Sequence, residues 1–239
     1  MSAPLLSVVI PAYNEATILD SSVAHIVCGL RDAGSDFEVI VVENGSDDET
    51  IDIAMTLSER YREVRVERLA HADYGAALRR GLLSATGDIV VNFDADYFDL
   101  DFLAGAVRMI QKPGGPAVVV GSKRGRDAHD TRPITRRFVT FVFATILRVV
   151  FGLHVSDTHG MKAMRRSVVE PYARTCRFGR DLFDTELILH VERAGHPTAE
   201  IPVSVEECRP ARTSIFRRVP RTLLGLARLR LALWREPAP

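Results

Sequence analysis

Short runs of apolar, mostly β-branched residues recur along the first half of the chain: LSVVIPAY (6–13), FEVIVVEN (37–44), VRVERL (64–69) and DIVVNFD (88–94). Between them, segments near Glu15 to Ala33, Asp47 to Tyr61 and Tyr74 to Ala85 repeat their apolar positions at helical spacing. Strands alternating with helices predict βα units and a largely parallel, Rossmann-like sheet flanked by helices. A fifth run, AVVVGS, follows the turn at Lys112 to Pro116, and TAEIPVSVEE (198–207) is expected to add a further strand, with an antiparallel orientation considered. No Pro/Gly/Ser-rich linker, low-complexity tract or internal repeat divides the chain. Residues 1–213 are therefore read as one domain and 214–239 as an appended amphipathic basic helix.

The polar residues that end these runs change the picture. In open α/β sheets, ligands bind beyond the C-terminal ends of the strands. PAYNE, ENGSDDET and DAD all fall there. ENGSDDET also reads as a turn and helix cap, with Ser46 or Asp47 as cap and Asp48 and Glu49 in the first turn; only Glu43 and Asn44 then call for a ligand. Asp94 and Asp96, with Asp99 close behind, end an apolar strand, where unpaired carboxylates are costly. Two carboxylates one residue apart converge on a divalent cation once the chain leaves β geometry. Alone, DxD is a weak signal. Its place after three βα units strengthens it.

Composition narrows the classes. The 239 residues are 46% hydrophobic, enough for a substantial core, and 31 basic and 31 acidic residues cancel, so overall charge gives no reason to expect a nucleic acid partner. Cys28, Cys176 and Cys208 show no CxxC spacing, which argues against a zinc site or disulfide framework and suits a reducing cytoplasm. No signal peptide is evident, and no uncharged apolar run is long enough for a confident transmembrane helix. No GxGxxG follows a strand, which disfavours a dinucleotide oxidoreductase.

Taken in order, SVVIPAYNE, EVIVVENGSDDET, YGAALRRGLLSATGD, DAD and DTHGMKAMRR resemble the family 2 glycosyltransferases of GT-A fold, and in pattern the polyprenyl-phosphate sugar transferases of the dolichol-phosphate mannose synthase type. The resemblance spans Leu5 to about Ser214. It implies an inverting hexosyltransferase that takes a GDP- or UDP-sugar, helped by Mg²⁺ or Mn²⁺. Pro11, Ala12, Tyr13 and Glu15 would wall the base and ribose, Glu43 would contact the nucleoside with Asp73 nearby, and Asp94 and Asp96 would hold nucleotide and metal. Three departures stand out: VENGS for the usual VDDGS, HADYG where NxGxG is common, and Phe98 for a frequently polar residue that helps ligate metal. Either Asp99 or water then fills that place, or metal binding is weaker.

A phosphate acceptor needs no general base, because its second pKa lies near 6 and its oxygen is already anionic at neutral pH. Cations should stand where another transferase keeps a base. By resemblance, Lys123 and Arg136 grip the acceptor phosphate, Asp157 orients the sugar or serves as base for a hydroxyl acceptor, and Glu186 lies beneath the sugar or is a buried structural carboxylate. Arg209 and Arg212 would belong to a basic loop closing over the diphosphate. His159 is read as a structural hydrogen-bonder, and Lys162, Arg165 and Arg166 as the solvated face of a helix.

If the tail is helical, Ile215, Phe216, Val219, Leu223, Leu226, Leu233 and Trp234 share one face opposite Arg217, Arg221, Arg228 and Arg235. That pattern fits either a peripheral helix at the inner membrane face or a helix packed on its own domain or in a homo-oligomer. The segment from Phe138 to Phe151 is expected either in the core or dipping into lipid beside the acceptor. Two other readings remain: a transferase with a soluble or glycan hydroxyl acceptor, and a non-catalytic protein binding nucleotide-sugar or lipid phosphate.

Overall fold

The computed structural model describes residues 5–122, 134–155, 158–179, 182–203 and 222–231, with 134–140 as helical backbone. The chain alternates β1 (Leu6–Ala12), α1 (Leu19–Asp32), β2 (Phe37–Asn44), α2 (Thr50–Arg60), β3 (Val64–Leu69), α3 (Tyr74–Ser84), β4 (Ile89–Asn92) and α4 (Leu100–Gln111). It continues through β5 (Val118–Ser122), α5 (Ile134–Phe151), β6 (Lys162–Arg165), α6 (Arg166–Thr175), α7 (Phe183–Arg193) and β7 (Thr198–Pro202). A further helix, α8, covers 222–231. This is the expected α/β architecture, and the first five predicted strands are all present.

The strands form one sheet in the order β3-β2-β1-β4-β6-β5-β7. β1 is buried along its whole length, as a central parallel strand covered on both faces must be. Its alternation divides the core. Val8 and Ile10 join Leu19, Val23 and Phe102 on one side; Val9 packs with Leu78, Phe183 and Leu187 on the other. Gly81 lets α3 approach so closely that a Cβ there would lie 2.2 Å from a Val9 methyl.

Three expectations are corrected. β7 runs parallel to β5, and β6 is the antiparallel strand, pairing with both β4 and β5. The segment read as a solvated helical face is in part this strand: Lys162 is wholly buried, while Arg166 begins α6. The third concerns α2, which starts at Thr50 without a cap from Ser46 or Asp47; the Asp48 carboxylate accepts the Thr50 N–H at 2.9 Å instead.

Because β2 lies to one side of β1 and β4 to the other, the connections diverge at the end of β1. Divergence opens a crevice at the C-terminal strand ends.

Candidate functional site

A cleft of about 240 Å³ lies at that crevice, lined by Pro11, Tyr13, Glu15, Asn44, Tyr74, Asp94, Ala95 and Asp96. Its walls are the loops after β1, β2 and β4 plus the start of α3.

The first two loops hold each other. Asn14 takes a left-handed conformation (φ 56°), which asparagine tolerates better than most residues. Its N–H donates to Ser46 Oγ at 3.1 Å, and its side-chain oxygen accepts the Asp47 N–H at 3.0 Å. The Glu15 N–H donates to Thr50 Oγ1 at 2.8 Å. ENGSDDET therefore stitches the β1 loop in place. Gly45 makes this possible, with φ +70° and the His71 backbone 2.9 Å from where a Cβ would stand. Glu43 is buried; it accepts the Ser46 N–H at 2.6 Å and lies 3.6 Å from Arg68 Nε. Asn44 lines the cleft and accepts the Asp73 N–H at 2.8 Å.

The third loop carries the paired carboxylates. After β4, reciprocal backbone bonds between Asp94 and Tyr97 close a tight loop, and Ser22 Oγ on α1 donates to the Ala95 carbonyl at 2.6 Å. Asp94 and Asp96 thus leave β geometry and both reach the cleft. Asp94 is half-buried and accepts the Tyr74 hydroxyl at 2.7 Å; Asp96 is exposed. Among the described residues neither forms an ion pair. Burial raises the Asp94 pKa, opposed by the Tyr74 hydrogen bond and the Lys162 cation and reinforced by Asp96 and Asp184. Burial and the adjacent Asp94 charge push the Tyr74 phenol well above its usual value, so it stays protonated and donating. Carboxylate oxygens that repel one another suit a hard divalent cation, and Asp94 and Asp96 are the residues that would hold it.

Lys162 and Tyr74 were not singled out for the site from sequence. Lys162 Nζ donates to the carbonyls of Thr158 (3.2 Å) and Gly160 (2.7 Å) and pairs with Asp184 Oδ1 at 3.2 Å. This buried cation offsets part of the negative charge above it.

Other predicted residues lie beside the cleft. Asp73 caps α3, accepting the Ala76 N–H at 2.9 Å, and Ala12 is buried in β1. Phe98 faces the core against His25 and Phe93, while Asp99 caps α4 through the N–H groups of Asp101 and Phe102. Asp99 is not among the residues that line the cleft. The Glu186 carboxylate is buried against the N–H groups of Arg177 and Phe178, the structural alternative raised for it. His159 contacts Thr158 Oγ1 at 3.2 Å and the Phe143 ring. Lys123, Asp157, Arg209, Arg212 and the Arg136 side chain lie outside the described residues.

Residues 7–172 match the family model described as Glycosyl transferase family 2. Glycosyltransferase AglD of Haloferax volcanii is 31% identical over 96% of this chain, which spans 37% of that relative's length. The dolichyl-phosphate beta-glucosyltransferase of Drosophila melanogaster is 30% identical over 88% of this chain and 70% of its own. Among solved structures, a mannosyltransferase from Pyrobaculum calidifontis in complex with GDP-Man and Mn²⁺ has a TM-score of 0.66 and 25% identity, covering 100% of this chain and 67% of that one. Glucosyl-3-phosphoglycerate synthase from Mycobacterium tuberculosis, at 24% identity over 95% of this chain and 78% of its own, shares the fold with a TM-score of 0.69.

Proposed function

Since the chain belongs to glycosyl transferase family 2, we propose that it transfers a hexose from a GDP- or UDP-sugar to a polyprenyl phosphate, with inversion and with Mg²⁺ or Mn²⁺ bound at Asp94 and Asp96. The observation that carries this reading is the convergence of those carboxylates, without an ion-pair partner among the described residues, on a cleft at the strand ends. The glucosyl names of several curated relatives weight the sugar toward glucose over mannose. Mn²⁺ or Mg²⁺ with nucleotide in similar solved structures supports the cation and the donor class.

A bound cation would screen the diphosphate charge and hold the leaving group. The chain's own residues do the rest. Tyr74 orients Asp94 by its hydroxyl, Lys162 and Asp184 set the field beneath it, and the interlocked β1 and β2 loops give the base a rigid wall. The acceptor phosphate brings its own anionic oxygen, so binding needs cations, a role assigned to Lys123 and Arg136.

No described helix is long and apolar enough to cross a membrane. α5 nonetheless exposes Phe141, Val142, Val149 and Val150 while burying Ala144 and Leu147. Such a face supports peripheral contact with the membrane that carries a prenyl acceptor.

Replacing Lys123 and Arg136 together with Ala should raise the KM for polyprenyl phosphate while leaving nucleotide-sugar binding by calorimetry unchanged. Normal lipid glycosylation by this double variant would refute the acceptor assignment.

A further inference from the structure

A second cluster of ligating groups lies away from the cleft, where α6 meets α7. Cys176 follows the last turn of α6, and Glu186 and His190 stand one turn apart on α7. The Cys176 sulfur, a Glu186 carboxylate oxygen and a His190 ring nitrogen all lie within 4.8 Å of one another, with His190 Nε2 3.8 Å from Glu186 Oε1. Cys176 and Glu186 are buried; the His190 side chain keeps 18% exposure, which leaves a way in.

Sulfur, imidazole nitrogen and one carboxylate oxygen form a borderline-soft donor set, unlike the all-oxygen pair at Asp94 and Asp96. Tetrahedral Zn²⁺, with bonds of about 2.0–2.3 Å, places its ligand atoms about 3.3–3.8 Å apart. For an oxygen and a nitrogen ligand that spacing is about 3.3–3.5 Å, so Glu186 Oε1 and His190 Nε2, 3.8 Å apart, need only a small side-chain adjustment to meet it. Charge also balances: a divalent ion with one thiolate, one carboxylate and a neutral imidazole is neutral overall and can be buried without the cost of net charge. Outer contacts fix the ligands. The Arg177 and Phe178 N–H groups hold the Glu186 carboxylate at 3.0 and 2.8 Å, and the His190 ring lies parallel to Tyr172.

We propose that Cys176, Glu186 and His190 form a second metal site, selective for Zn²⁺ or a similar borderline-soft divalent ion, with water completing the coordination. The thiol proton is released to solvent as the metal–sulfur bond forms. The ion staples α6 to α7 across residues 177–182. Gly179 in that connection stands so close to Asp73 that a Cβ would lie 3.0 Å from its carboxylate, and Arg79 on α3 donates to the Cys176 carbonyl at 3.3 Å. Occupancy therefore stiffens the support of α3, the helix whose Tyr74 reaches Asp94.

The test is titration of the chelator-treated, phosphine-reduced full chain with Co²⁺, without nucleotide. A thiolate-to-cobalt charge-transfer band should rise to saturation at one equivalent, disappear when Zn²⁺ is added and persist in excess Mg²⁺; the oxygen pair at the cleft gives no such band. Cys176→Ser should abolish the band. His190→Gln, which retains the sulfur, should weaken Co²⁺ binding by about tenfold or more, since even changes to a ligand's outer contacts cost that much. Circular dichroism checks that both variants fold. Absence of the band in the wild-type chain, its survival in Cys176→Ser, or undiminished affinity in folded His190→Gln would each overturn the proposal.

Discussion

At the scale of single residues, Asp94 and Asp96 differ in burial, and that difference separates their contributions to stability and function. Asp94 is half-buried, and its burial outweighs the Tyr74 hydrogen bond and the Lys162 cation to favour its neutral form, whereas Asp96 is exposed. In metal-free protein at neutral pH, Asp94→Asn should therefore raise the melting temperature while removing Mn²⁺ binding. Asp96→Ala should leave stability within about 0.5 kcal/mol and abolish metal-dependent turnover. Thermal melts with and without Mn²⁺ read both effects. The pair itself was legible because carboxylates at an apolar strand end demand compensation. Lys162 was not. In MKAMRR three cations mimic a solvated helical face, and the groups that make its burial tolerable are Asp184, 22 residues away, and two carbonyls whose direction no sequence displays.

At the scale of elements, continuous β-branched runs marked β1, β2 and β5 because both faces of these strands are covered. β6 escaped because four residues, two of them cationic, carry no strand pattern; its place depends on the free edges of β4 and β5. The orientation of β7 followed from the course of the chain through α6 and α7, which periodicity does not encode. One carboxylate ties several elements together. Glu38 on β2 accepts bonds from Ser7 (2.6 Å), the Thr86 N–H (2.7 Å) and hydroxyl (2.8 Å), and Arg65 Nε (2.6 Å). Burial alone would raise its pKa, but these partners outweigh burial and lower it. Its stabilisation is therefore present above the ordinary value of 4.5 and is lost as pH falls through the lower folded value. Glu38→Gln should cost about 2–3 kcal/mol at pH 7 in urea unfolding, with the gap to wild type closing in acid.

At the scale of the whole molecule, zero net charge gives no long-range attraction to an anionic membrane, so the proposed contact must come from a local surface. Phe141 is 52% and Val149 76% exposed on α5. α8 packs Leu226 and Leu229 on the core, which supports the reading of the tail as packed on its own domain there, yet Leu223, Leu224 and Leu231 remain exposed. The rest of the expected tail face, 215–221 and 233–235, lies outside the described residues. Phe141→Asp with Val149→Asp should lower binding to anionic vesicles by about tenfold or more, given the apolar area withdrawn, without changing the melting temperature. Equal vesicle flotation of variant and wild type would exclude α5 as the contact.

The central claim concerns the acceptor, and release of nucleoside diphosphate from GDP- and UDP-hexoses with Mn²⁺, with and without a short polyprenyl phosphate, tests it most directly. The account predicts release that depends on the lipid phosphate and a chloroform-soluble glycolipid as product. Donor binding with no response to the lipid phosphate would contradict it, and would point to a hydroxyl acceptor or to binding without transfer.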